Sequence, residues 1–253
     1  MTRLFWLLVL LLVPVKAPAE EELIAGLSRN RISISANFDG SEILIFGAVK
    51  RDAPAAEDPP GVIVTIEGPK TPLTLRRKDR MGPIWVNVDT VEVDRAPSFY
   101  AVNSSGPLRD VLTHTSDMRH SITVEQAIRL VGASGLVEDP SRFTEALIRI
   151  RERNGLYQTN ISAVTVREST LFDTSVVLPA NLVEGVYTSR LFLTRNGVVV
   201  AQASAAINVE KVGLERFLYA LAHQDALLYG LLSLAIAVVA GWGASAVFRY
   251  LQG

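Results

Sequence analysis

Residues Ala226 to Phe248, ALLYGLLSLAIAVVAGWGASAVF, carry no charged side chain. Each helical residue adds about 1.5 Å, so this stretch is long enough to cross a hydrocarbon core about 30 Å thick. It constrains the chain more than any other feature. Whatever precedes it folds on one side of a membrane, and only a tail at 249–253 follows. The lipid bilayer is therefore the first partner that the sequence predicts.

The start of the chain agrees with export. Met1-Thr2-Arg3 is a positive opening, Leu4 to Val13 is apolar, and Ala17-Pro18-Ala19 supplies small residues before Glu20. This pattern reads as a cleavable signal peptide over 1–19. A retained N-terminal membrane helix is the alternative, but a run of this length spans only about half of a bilayer core. The signal and the span together predict a periplasmic domain over 20–211, held by one helix in a bacterial inner membrane. The positive-inside rule adds little, since Arg249 faces Lys211 and Arg216 across the span.

The chain has no cysteine, which excludes a disulfide framework, a thiol nucleophile and a cysteine-based metal site. Its formal net charge of −1 argues against a nucleic-acid partner, because phosphate binding needs a basic surface.

The first half is rich in strand signals. Arg31–Ser35 and Glu42–Phe46 alternate around the turn signal Asp39-Gly40, which predicts an antiparallel hairpin. Lys50–Pro60 reads as a surface loop. Val62–Ile66 is a third strand, Leu73–Leu75 a short fourth that ends in the basic run Arg76-Arg77-Lys78, and Ile84–Asp89 resumes alternation. In that segment Trp85 is out of phase with Ile84, Val86 and Val88. Trp85 then packs in a second layer or marks a contact patch that runs to Phe99 and Tyr100. Ser98–Val102 is a further strand, closed by the turn-rich Asn103–Pro107.

A helical insertion is predicted over about 107–156. Thr123 with Gln126 three residues on has the form of a capping box, and predicts a helix to about Leu130. Asp139-Pro140 opens a second helix with an apolar stripe at Phe143, Ala146, Leu147 and Ile150, ended by Asn154-Gly155. Arg149, Arg151 and Arg153 in its last turn complement the helix dipole. Glu145 and Glu152 between them favour a solvated face over an anion site.

Strands return at Ile161–Glu168 and Leu171–Leu178. Gly185-Val186-Tyr187 has the form of a tyrosine corner, in which the phenol bonds back to the preceding loop. Tyr187–Arg195 and Val198–Val209 flank Asn196-Gly197, the strongest short hairpin signal. Val212–Asp225 places Leu214, Phe217, Leu218 and Leu221 at helical spacing and predicts a membrane-proximal amphipathic helix. Inside the span, Ser233, Ala237, Gly241 and Ser245 recur every four residues, a spacing that lets helix backbones approach closely.

Taken together, the fold class is mainly β: an immunoglobulin-like β-sandwich of roughly eight to ten strands with a helical insertion, plus one C-terminal transmembrane helix.

Candidate chemistry is sparse. His114, Asp117 and His120 are weak candidates for a metal, since three-residue steps set the two histidines about 240° apart on an α-helix. Ser104 and Ser105 lack the G-x-S-x-G elbow, and no phosphate-binding glycine loop occurs. Asp89, Glu92 and Asp94 read as surface strand residues. Neither a cofactor nor an enzymatic activity is expected.

Several residue groups resemble an uncharacterised family of alphaproteobacterial transmembrane proteins. They are Phe46-Gly47-Ala48, Trp85-Val86-Asn87, Ser98-Phe99-Tyr100-Ala101-Val102 with Ser104-Ser105, Leu178-Pro179-Ala180-Asn181, Gly185-Val186-Tyr187, Glu215-Arg216-Phe217 and Gly241-Trp242. The resemblance covers essentially the whole chain after the signal. It implies a periplasmic domain with a C-terminal anchor, and it carries an association with sulfite-exporter-like permeases. The expectation is an accessory domain that engages another envelope or membrane protein, with a permease as the partner implied. Its alternative is a tethered solute- or metal-binding module.

Overall fold

The computed structural model describes residues 21–35, 37–51, 59–130 and 140–251. The expected signal peptide, most of the loop at 50–60 and the capping residue Asp139 lie outside these. Seven strands come first: β1 (Glu21–Leu27), β2 (Arg31–Ile34), β3 (Ser41–Arg51), β4 (Gly61–Glu67), β5 (Lys70–Met81), β6 (Ile84–Pro97) and β7 (Tyr100–Ser104). Short helices α1 (Leu108–Val111), α2 (His114–His120) and α3 (Val124–Ala127) follow, then β8 (Arg129–Leu130) and α4 (Pro140–Arg153). The chain closes with β9 (Tyr157–Asn160), β10 (Thr165–Arg167), β11 (Leu171–Leu178), β12 (Gly185–Arg195), β13 (Val198–Lys211), α5 (Leu214–Gln224) and α6 (Ala226–Leu251).

These strands make two sheets around one core and a third that projects from them. The first sheet has the order β1-β3-β11-β10 and the second β2-β13-β12-β4-β7-β9. Pairs inside the second sheet are antiparallel, while its edges β2 and β9 lie parallel to β13 and β7. A single apolar cluster joins the sheets, with Ile43, Ile45, Phe172 and Leu178 from the first and Val64, Ile66, Leu191 and Ile207 from the second. Each such side chain contributes about 1.5–3 kcal/mol by leaving water.

Burial follows the pattern of the residues. In β3 the alternation is plain: Ile43, Ile45 and Val49 face the core while Leu44 and Phe46 face out. β4 instead has Val62–Ile66 buried on both faces. It lies mid-sheet, and Leu112, Ile122, Val124 and Ala127 from the helical insertion join the same cluster. A strand covered on both sides needs a continuous apolar run, which VIVTI supplies.

Several sequence expectations need correcting. The hairpin expected around Asp39-Gly40 does not form. Both edges of β3 are occupied, one by β1 and the other by β11, so β2 crosses to the second sheet and pairs with β13. Ile161–Glu168 is not one strand. The chain turns at Ser162 (φ 58°) and passes from β9 in the second sheet to β10 in the first. Thr123 does occupy the N-cap of α3, but its hydroxyl donates to Asp117 Oδ2 at 2.7 Å rather than capping the helix, which ends at Ala127.

Other local signals meet their expected geometry. Asn196 and Gly197 have φ of 49° and 76° and join β12 to β13 with Arg195 opposite Val198. The Tyr187 hydroxyl donates to the Val183 carbonyl at 2.9 Å, which is the corner bond. After Arg153, Gly155 (φ +68°) lets its own N–H reach Glu152 O and that of Leu156 reach Arg151 O, closing α4 with a Schellman motif.

Candidate functional site

The third sheet is the feature that the sequence did not announce. Glu67 pairs with Tyr100 at the end of β4 and start of β7, and Lys70 pairs with Pro97 at the start of β5 and end of β6. Between them Gly68 N donates to Phe99 O at 2.8 Å and Ser98 N to Pro69 O at 2.9 Å. The ladder is therefore unbroken: two strands of the second sheet run out past its end as a two-stranded arm. Gly68 is needed at the exit, because a Cβ there would stand 2.6 Å from Ser98 Oγ and 2.9 Å from a ring carbon of Tyr187.

The arm has a braced base and a free end. At the base β8 pairs with β6 through Leu130 and Val93, and Leu75, Val91 and Phe143 of α4 form a small apolar cluster. Register shifts between Thr71 and Leu73 and between Arg77 and Lys78 add local twist. From Arg76 outward β5 is exposed on both faces. The turn is Gly82-Pro83, with Gly82 at φ +64°. Around it Met81, Ile84 and Trp85 are 63%, 59% and 67% exposed.

Basic residues surround this apolar end. Arg76, Arg77, Lys78 and Arg80 lie on β5, against Asp79 and Asp89. Arg77 Nε donates to Asp89 Oδ2 at 2.6 Å, and Arg80 Nε to Gly82 O at 3.0 Å. Trp85 stands opposite Arg80, and Asn87 opposite Lys78. Alternation then puts Trp85 on one face of the arm and Ile84 with Met81 on the other.

Other expected site residues lie elsewhere. Trp85 is on the surface, not in a second packed layer. Phe99 and Tyr100 are wholly buried and form no part of a contact patch with it. Phe99 packs on Tyr187 with ring centroids 6.2 Å apart. The Tyr100 hydroxyl lies 2.9 Å from Ile122 O and 3.0 Å from Ser121 O, and accepts from Arg190 Nη2 at 3.0 Å. Burial raises its pKa well above the ordinary phenol value. Ser98–Val102 enters the core because the insertion covers the outer side of the second sheet, which alternation alone does not reveal.

His114, Asp117 and His120 share one helix, α2, and are not gathered around a common point. Asp117 Oδ1 accepts from Ile122 N (3.1 Å) and Thr123 N (2.8 Å), so the carboxylate serves as a cap for the next segment. The His120 ring lies 5.8 Å from that of Phe192. Among the described residues no group of three or more ligating side chains is placed to hold a metal. Ser104 Oγ donates to Gly106 O and Ser105 Oγ accepts from Val62 N, both in turn-stabilising roles. Ser233, Ala237, Gly241 and Ser245 lie on α6, exposed, and Ser233 Oγ donates to Tyr229 O.

Sequence reasoning missed Met81, Ile84 and Arg80 as members of one tip. The signal was present: Gly82-Pro83 separates two segments that both continue at strand spacing, but the basic run reads as the end of the first strand.

Ala226–Ser245 has the length and apolarity to cross a membrane, and none of it is buried against the rest of the chain. A mainly β domain joined to such a helix defines a membrane-anchored protein with one candidate span among the described residues. Residues 22–250 match the family described as "Putative transmembrane protein (Alph_Pro_TM)", and the chain belongs to that alphaproteobacterial family. No curated protein matches it.

Proposed function

We propose that this protein is a non-enzymatic accessory domain, tethered at the periplasmic face of a bacterial inner membrane, which serves a neighbouring membrane protein of the transporter class. The observation that carries this reading is the open span. Ala226–Ser245 finds no cover among the described residues, and only α5 separates it from β13. The β domain is therefore held close to the bilayer, within reach of whatever else the membrane holds. The polar groups that looked most reactive in the sequence support the same reading, since Asp117, Ser104 and Ser105 are engaged in local structure.

The domain in this proposal is an immunoglobulin-like sandwich. The order β1-β3-β11-β10 corresponds to A-B-E-D, and β13, β12 and β4 to G, F and C. The corner bond of Tyr187 at the start of β12 falls where that fold has it.

Crosslinking of the full-length protein in intact membranes, followed by its recovery and identification of what comes with it, tests the accessory reading. A permease recovered with the tethered chain supports it. Recovery of this chain alone overturns it.

A further inference from the structure

We propose that the tip of the β5–β6 arm inserts into an anionic phospholipid surface, giving the domain a second membrane attachment beside its helix. The first ground is direction. Thr188 of β12 pairs with both Glu67 of β4 and Ala206 of β13, and β4 and β13 run the same way. The arm therefore leaves the sheet at the end from which the chain descends to α5 and α6.

The second ground is reach. Beyond Ala206, β13 continues to Lys211, about 17 Å of strand. Val212 and Gly213 add about 7 Å and the eleven residues of α5 about 16 Å more at most before the span begins. The twelve residues of β5 extend about 36 Å, and counted from the level of Glu67 the arm reaches about 46 Å. The arm is long enough to meet the surface whether α5 stands upright or lies along the interface.

The third ground is the chemistry of the tip. Trp85 is exposed on one face and Met81 and Ile84 on the other. A protein partner would cover one face of such a ribbon. An apolar medium that closes around it covers both. Tryptophan favours the headgroup level, where its ring is apolar and its N–H stays wet. Arg76, Lys78 and Arg80 lie one to a few residues behind the tip, where a basic collar meets lipid phosphates. A free-standing two-stranded ribbon is also marginal in water alone, so its outer half gains order from being held at the far end.

This inference needs the tether but not the accessory partner, so the two fail separately. The test uses the purified full-length chain with Trp6→Phe and Trp242→Phe, which leaves Trp85 as its one indole. The protein is reconstituted into vesicles of phosphatidylcholine alone, or of equal parts phosphatidylcholine and phosphatidylglycerol, with brominated acyl chains as quenchers. In the anionic vesicles Trp85 emission shifts to the blue and is quenched. The shift is lost in R76E/K78E/R80E, and shrinks in about 1 M salt, where charge interactions reach only about 3 Å. Emission of a fully solvated ring in both vesicle types overturns the proposal. So does protection of Trp85 that appears only when a second membrane protein is reconstituted with it.

Discussion

Glu21 and Arg195 stand 174 positions apart in the chain, yet Glu21 Oε1 accepts from Arg195 Nη2 at 2.8 Å. The same oxygen accepts from Arg51 Nε, also at 2.8 Å. The three side chains are largely buried, so this group ties the first strand of one sheet to β12 of the other. Charged groups out of water persist only when each is paired.

Removing the carboxylate charge is therefore costly. Glu21→Gln leaves two guanidinium groups facing each other, and should destabilise the domain by about 2–3 kcal/mol, somewhat below a fully buried pair. The hydrogen bond from Arg195, then that from Arg51, holds the Glu21 pKa below its ordinary value. A lowered folded pKa means that the stabilisation is whole above the unfolded carboxylate value of about 4.3 and is lost as pH falls through the folded one. Urea unfolding of both proteins should show a clear gap at neutral pH that closes in acid. A gap of constant size would remove the charge from the explanation.

At the other end of the pH scale the phenols act. Tyr157 is buried with its hydroxyl on Pro97 O at 2.9 Å, and burial pushes its pKa up to about 12. Tyr100 and Tyr187 are raised by burial as well. For these groups the sign reverses. Their contribution is whole below the unfolded value of about 10 and is lost as pH rises through the folded values. Tyrosinate absorbance from the buried rings should appear together with loss of β-sheet circular dichroism, not before it. Ionisation of all the phenols in a domain still folded would contradict this.

Much of the β framework is legible in the residues because one-sided burial leaves a mark. Ile43, Ile45 and Val49 show it in β3, Asn196-Gly197 sets a turn that few other pairs allow, and Tyr187 signals its own bond. The arm left only part of such a mark. Leu73–Leu75 and Ile84–Asp89 read as strands. Arg76–Arg80, wet on both faces, has no reason to alternate, so the run reads as the end of a strand although each residue lies in a ladder. Phe99 and Tyr100 show the opposite failure. The helical insertion covers their sheet from outside, a tertiary fact that local pattern does not carry. Asp117, read in the sequence beside His114 and His120, serves instead where the chain enters α3, a bond that its neighbours in sequence do not announce.

The two sheets are also joined by polar groups. Asn103 of β7 donates through Nδ2 to Thr174 Oγ1 (2.7 Å) and Ser175 O (2.9 Å) of β11, and accepts from Asn160 at 2.9 Å. Both of its amide hydrogens and one of its two acceptor sites are used in joining the sheets. Asn103→Leu, close in volume, should lower stability by about 1–3 kcal/mol, because the buried Thr174 hydroxyl and two half-buried partners lose their bonds. Chemical denaturation measures this. A change within about 0.5 kcal/mol, the range of ordinary surface substitutions, would mean that water enters between the sheets.

The contrast between Trp85 and Phe99 offers the sharpest check on how the aromatic residues are divided. Both lie on the β5–β7 stretch, and both are large. Phe99 is wholly buried against Tyr187, so Phe99→Ala should cost about 3–5 kcal/mol through lost burial and the cavity left behind. Trp85 is 67% exposed at the end of an arm whose base is braced by Leu75, Val91 and Phe143. Trp85→Ala should leave the unfolding midpoint of the domain within the range of surface changes, about 0.5 kcal/mol. Thermal melts of the two variants in detergent then separate by several degrees. If Trp85→Ala unfolds the domain as Phe99→Ala does, the arm is packed against the core in solution, and its tip is not available to any surface.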